Sequence, residues 1–244
     1  MISIPIDPTN PGHVFAAVGL TELAHRLTGE ATGHFEDLTY HLNLGKNWNI
    51  ATLISKIQNL KIRSDNPANK DAPLNLGNLK LDWWLRPAAN DKAGNLKTWA
   101  GNMKIRLIIS ATQERLDHTE NLLCDRPTNK LTGKQKPPAL TSLDAQRSKS
   151  TIDTGYSPDK LDYTSVPAPS VEFFAIIGLQ RVWPIKINER YVYYTWHSAM
   201  SIDLVPAALT GHLDTGTSYT FPIAMDGKCS RVLPAQPIII NKHN

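Results

Sequence analysis

The sequence predicts an α+β fold: an antiparallel sheet with helices on one face, organised as two halves flanking a long loop. Three observations carry this. Short stretches alternate apolar and polar residues, the period of half-buried strands, while others repeat apolar residues at i, i+3, i+4 and i+7, the period of a helix face. Both periods stop between Asp125 and Ser170, where Pro127, Pro137, Pro138, Pro158, Pro167 and Pro169 fall among Lys, Ser, Thr and Asp. The hexapeptide Phe15–Leu20 (FAAVGL) returns as Phe174–Leu179 (FAIIGL), with four identities and two apolar replacements.

The elements follow in order. Ile4 and Ile6 mark a short first strand. Asn10 and Pro11 are a helix cap and a first-turn proline, because proline lacks only an N–H that has no partner there. That helix runs to about Leu27 and buries Phe15, Val18, Leu23 and Leu27. Leu38, Tyr40, Leu42 and Leu44 alternate as a strand, and Ile50, Leu53, Ile54, Ile57 and Leu60 form a helical face. Strands are expected at Leu79–Leu85 and Lys104–Ile109, then a helix to about Leu123. Beyond the loop, a helix starts near Val171, followed by a hairpin around Asn188-Glu189 with strands Ile185–Ile187 and Tyr191–Trp196. Thr217–Ile223 and Val232–Ile240 are strand-like. The organisation is therefore an N-terminal half (1–124), a basic Pro-rich insertion (125–170) and a C-terminal half (171–244). In both copies of the hexapeptide a glycine sits mid-helix, which costs roughly 1 kcal/mol against alanine unless another backbone packs there.

Composition narrows the function. With 41% hydrophobic and 20% charged residues, the chain of 244 can bury a core. No apolar run reaches the roughly 18 residues of a membrane span, and Met1–Pro5 is unlike a secretory signal, so a cytoplasmic protein with no membrane contact is expected. Cys124 and Cys229 form neither a disulfide framework nor a zinc motif. GxSxG, Walker, GxGxxG and HExxH patterns are absent, and the eight histidines are scattered. No cofactor, metal ligand or catalytic residue is assigned on these grounds. A metal-independent ribonuclease built on histidine and lysine leaves little spacing signature and stays open.

Charge is local. The net charge is +4, and residues 125–149 alone hold six cations (Lys130, Lys134 and Lys136 among them) against two acids. Such a block serves phosphate binding through counterion release, and equally serves as a solvated loop. A second cluster is Lys97, Trp99, Lys104 and Arg106, ten residues without an acid. Cations interleaved with an aromatic ring can grip phosphates while stacking on a base. Alternation assigns Trp83 to the core.

Several blocks also resemble a known family. They are Ile6–Gly12 (IDPTNPG) leading into Phe15–Leu20, Leu81–Leu85 (LDWWL), Leu96–Gly101 (LKTWAG), Asp153–Ser157 (DTGYS) and Val171–Arg181 (VEFFAIIGLQR). In this order they are similar to the small Csb-type CRISPR-associated subunit of type I-G systems, formerly type I-U. The resemblance implies a subunit of an RNA-guided Cascade complex that contacts guide RNA, target DNA or both. Its other partners would be the remaining Cascade subunits and, indirectly, a helicase–nuclease. It implies either two ferredoxin-like halves of the RRM or RAMP type or a reduced large subunit. No catalytic residue carries over. Arg181, Lys97 and Trp99 lie inside matching blocks, and Lys130, Lys134 and Lys136 do not. The expectation is a non-catalytic nucleic-acid-binding subunit, with a guide-RNA-processing endoribonuclease and a protein scaffold as rivals. For the scaffold, Tyr191, Tyr193 and Tyr194 are candidate interface aromatics.

Overall fold

Asn10 starts the helix on which the fold is built. Its backbone is extended, its side-chain oxygen accepts the N–H of Gly12, and Pro11 opens the first turn. This helix, α1 (Pro11–Thr28), ends at Gly29, whose φ of 79° is a conformation glycine enters without a Cβ penalty. The computed structural model describes residues 1–86, 96–99, 103–123, 141–145, 168–213, 216–226 and 229–238. Every α1 residue from Pro11 to Ala24 is buried, so α1 is a central helix and not a half-exposed one.

One sheet runs in the order β1 (Ile2–Pro5), β3 (Thr39–Asn43), β2 (Thr32–Glu36), β9 (Met200–Ser201), with each neighbouring pair antiparallel. Ile4, Phe35, Tyr40 and Leu42 are buried, and the Tyr40 and Thr21 hydroxyls share a hydrogen bond of 2.6 Å that ties β3 to α1. A second antiparallel sheet runs β11 (Cys229–Val232), β10 (Ser218–Asp226), β8 (Arg190–Tyr194), β7 (Ile185–Ile187), with β12 (Gln236–Pro237) also on β10. Phe15 of α1 meets the Tyr193 and Phe221 rings of this sheet edge-on. The stretch after β8 links the sheets: the Phe35 N–H donates to the Trp196 carbonyl, and the Trp196 indole donates to the Gly33 carbonyl. A small third sheet, β4 (Ile62–Ser64), β5 (Leu74–Leu76), β6 (Leu79–Leu81), follows α2 (Ile50–Gln58), whose N-cap is Asn49. The fold class is thus α+β with antiparallel sheets, as the periodicities predict.

The repeated hexapeptide has a structural meaning. α1 and α4 (Pro169–Arg181) cross at its two glycines. A Cβ added to Gly19 would lie 1.9 Å from the Phe174 carbonyl oxygen, and one added to Gly178 would lie 1.9 Å from that of Phe15. The two copies are therefore each other's packing partners, related almost symmetrically. Their surroundings also correspond. α1 leads into the β2–β3 hairpin with β1 beyond β3; α4 leads into the β7–β8 hairpin with β10 beyond β8. The third strand precedes the helix in one half and follows it in the other. A complete ferredoxin-like unit does not close in the N-terminal half among the described residues. The strand after α2 joins the separate sheet with β5 and β6 and does not pair with β1.

Two expected strands are corrected. Lys104–Ile109 is the start of α3 (Ile105–Gln113), burying Ile105, Ile108, Ile109, Thr112 and Gln113 at helical spacing and exposing Leu107. Its first residues alternate by accident, and only the longer stretch to Gln113 shows the true period. Leu79–Leu85 is a strand only to Leu81, after which Trp83–Leu85 forms a 3₁₀ turn. The Gln180 side-chain oxygen accepts the N–H groups of Asp82 and Trp83, so these donors leave the strand ladder. The helix expected to reach Leu123 ends at Gln113.

Candidate nucleic-acid interface

The site is built around Glu22, a residue that no sequence pattern singles out. Glu22 lies on α1 with its side chain 3% exposed. A buried carboxylate needs partners, and it has two. Arg26 Nε donates to Oε1 at 2.6 Å from one turn along α1, and Arg181 Nε donates to Oε2 at 2.6 Å from the last turn of α4. Each guanidinium spends its Nε edge on Glu22. On their outer edges, among the described residues, the contacts are longer, Arg26 Nη1 to Asn78 Oδ1 at 3.4 Å and Arg181 Nη1 to Asp203 Oδ1 at 3.6 Å. Two arginines share the one buried carboxylate, and the second acid, Asp203, approaches Arg181 from an exposed position.

These residues line an open cleft of about 400 Å³ together with Asn78, Leu79, Lys80 and Gln180. Lys80 pairs with Asp82 at 3.1 Å. Arg86 continues the basic rim: its guanidinium lies over the Trp183 ring, 5.6 Å from the centroid, and reaches the Gln180 carbonyl at 3.4 Å. Arg26, Lys80, Arg86 and Arg181 thus gather around the C-terminal turn of α4, where the helix dipole favours cations. Planar guanidinium edges of this kind match phosphate oxygens two at a time. Asp203 is exposed and can swing away from an incoming phosphate.

Of the residues expected from sequence that the structure describes, Arg181 is in this cleft, and Lys97, Trp99, Lys104 and Arg106 are elsewhere. Lys97 Nζ pairs with Asp71 at 2.7 Å. Trp99 is 3% exposed, its indole donates to the same carboxylate at 3.2 Å, and it packs edge-on against Trp83 and Trp84. Base stacking by Trp99 is therefore not what this structure presents; its ring fills a tryptophan cluster whose N–H groups are all spent on Asp71 and Ile176. Lys104, the residue capping α3, and Arg106 on its first turn are exposed. Lys130, Lys134 and Lys136 lie outside the described residues. The signal for Glu22 and Arg26 was present as an i, i+4 acid–base pair, but such pairs are common on any helix. What makes this one different is burial by α4, which sequence spacing does not show.

Among its described residues, the insertion is tethered through residues 141–145. Thr141–Ala145 docks on the N-terminal turns of both long helices. The buried Glu172 carboxylate of α4 accepts the N–H groups of Thr141, Leu143 and Asp144 and the Thr141 hydroxyl, while Asn10 of α1 bonds to Asp144 Oδ1 and to the Ala145 N–H. Burial pushes Glu172 up to about 7, against the pull of the Thr141 hydroxyl and with the nearby Asp144 charge adding to the push. The five residues are ordered against the core, unlike the loose loop that composition suggests.

Comparison with family models, with curated proteins and with solved structures finds no match to this chain. Among the described residues, no helix is long and apolar enough to cross a membrane.

Proposed function

We propose that the chain is a non-catalytic, cytoplasmic nucleic-acid-binding subunit of an RNA-guided type I CRISPR complex, contacting guide RNA, target DNA or both. The cleft supports nucleic-acid binding: a single buried carboxylate, Glu22, holds Arg26 and Arg181 side by side with their outer edges toward an open cleft. The CRISPR assignment rests on the sequence blocks alone. In this reading Arg26, Arg86 and Arg181 grip successive phosphates, and Lys104 and Arg106 on α3 extend the contact. Other Cascade subunits and a helicase–nuclease are its partners.

The test is salt-dependent binding of single-stranded RNA and of DNA by the full chain. Arg26→Lys and Arg181→Lys keep the charge beside Glu22 and remove the paired donors, so affinity falls without unfolding. Lys104→Ala with Arg106→Ala removes exposed charges, and the slope of log K against log salt flattens by roughly 1 for each phosphate no longer neutralised. Unchanged affinity and slope in all these variants defeats the reading. Incubation with repeat RNA in EDTA decides the enzymatic rival, because specific cleavage lost in a single His→Ala variant replaces a binding subunit with a ribonuclease. For the scaffold rival, Tyr191 and Tyr193 are buried, Tyr191 stacks on Phe221, and the Tyr193 hydroxyl donates to the Pro8 carbonyl. They serve the core.

A further inference from the structure

The solvent face of the first hairpin carries a cluster that nucleic-acid binding at the cleft does not use. β2 and β3 pair His34 with His41 directly across the strands, and Glu36 sits two residues along β2 on the same face as His34. The opposite face of this hairpin points Phe35, Tyr40 and Leu42 into the core, so the backbone that holds the three polar groups is fixed by packing. The His34 and His41 rings stack with centroids 4.9 Å apart, and His41 Nε2 lies 3.1 Å from Glu36 Oε2. One ligand atom from each of His34, Glu36 and His41 lies within 4.8 Å of the others.

We propose that His34, Glu36 and His41 bind a divalent transition metal, zinc before others. Two imidazoles and one carboxylate suit a borderline ion of this kind, whereas magnesium and calcium prefer all-oxygen sites. Ligand atoms around zinc at roughly 2.0–2.2 Å lie about 3.3–3.5 Å apart in a tetrahedron. The His41–Glu36 separation is already close to that, and a small change of side-chain torsion brings in His34. A supporting shell is also present. His41 Nδ1 lies 3.1 Å from the Ser3 hydroxyl of β1, so an Nδ1–H donated to Ser3 leaves the Nε2 lone pair for the metal. Three protein ligands leave a fourth position for water or a group from a partner.

The sequence concealed this site because its ligands are spaced i, i+2 and across a hairpin, while searches for metal patterns on helices look for i, i+4. The test is titration calorimetry of the full chain, first stripped with chelator, against zinc chloride and then magnesium chloride. One zinc per chain and no magnesium is expected. His34→Ala, His41→Ala and Glu36→Gln each weaken zinc by more than about tenfold, and Ser3→Ala by about tenfold, the scale of losing a supporting hydrogen bond. His118→Ala and His212→Ala, at exposed sites elsewhere, leave it unchanged, and thermal melts confirm that all variants fold. Cobalt(II) gives an independent readout through the visible absorption of a four-coordinate site. The proposal is overturned if the wild type shows no saturable zinc binding, if His34→Ala/His41→Ala retains it, or if Glu36→Gln has no effect.

Discussion

Alanine at Gly19 separates two opposing forces cleanly. Judged by helix propensity alone, Gly19→Ala stabilises α1 by about 1 kcal/mol. Judged by the structure it does the reverse, since the new methyl would sit 1.9 Å from the Phe174 carbonyl oxygen and 2.7 Å from the Gly178 nitrogen. Neither obstacle is a flexible side chain. Restoring an ordinary contact of about 3.4 Å forces the helices apart by about 1.5 Å, and a gap of even 0.5–1 Å forfeits about a quarter to a half of each dispersion contact across it. Overpacking of this kind costs roughly 1–3 kcal/mol, and the upper end applies where backbone meets backbone. After the propensity gain, a net loss of about 2 kcal/mol is expected. Gly178→Ala, which faces the Phe15 carbonyl at the same 1.9 Å, should cost as much. The double variant should cost less than the sum by on the order of 1 kcal/mol, because helices already parted by one methyl admit the second. Urea unfolding followed by tryptophan fluorescence measures all three. A neutral or stabilised Gly19→Ala, or strict additivity, refutes the close crossing.

The pH dependence of stability should carry the mark of Glu172. Its carboxyl ionises near 4.5 when unfolded and near 7 when folded, so between those values the folded state keeps a proton that the unfolded state has shed. Stability is then fully present below about pH 4.5 and falls as pH rises to about 7, by on the order of 3 kcal/mol at most, and Glu172→Gln removes that slope in pH-resolved melts. The same variant places an amide N–H₂ against N–H donors of Thr141–Asp144, so proteolysis between residues 124 and 168 should quicken. Asp71→Ala removes the carboxylate that the Lys97 ammonium and the Trp99 indole share and should cost about 1–3 kcal/mol, with a shifted tryptophan emission; unchanged stability would show that other groups or solvent take its place.

Much of the fold was legible because local signals agreed with burial. Asn10 and Pro11 mark the start of α1, and the Asn188 turn, with φ of 53°, joins β7 to β8 where a hairpin was expected. β2 was not legible: Thr32–Glu36 contains a glycine and three polar residues, and its place comes from pairing with β3 and β9. α3 was misread because its alternating start, Lys104–Ile109, is shorter than two helical turns, too little to separate the two periods. For the site, Arg181 was singled out only by its place in a sequence block, and its partner Glu22 is 159 residues away, a relation that only tertiary packing creates. Lys97 and Trp99 misled for a matching reason. A cation beside an aromatic reads as a nucleic-acid grip until Asp71, distant in sequence, is seen to hold both.

The helix seam and the arginine cleft turn out to be one device. Glu22 follows Phe15 by seven residues and Arg181 follows Phe174 by seven, so they occupy equivalent places in the two copies of the repeated segment. The N-terminal turns of α1 and α4 share the Thr141–Ala145 segment, and their C-terminal turns meet through Glu22 and Arg181; the helices therefore run in the same sense. Near-symmetric crossing at Gly19 and Gly178 brings the positions three residues downstream of each glycine, Glu22 and Arg181, face to face. Like residues there would repel or leave buried charge unpaired. An acid on one copy and an arginine on the other resolve this, and the i, i+4 spacing on α1 adds Arg26 to the same carboxylate. The closeness permitted by two missing side chains at the crossing is thus what fixes the spacing of the two guanidinium groups at the cleft.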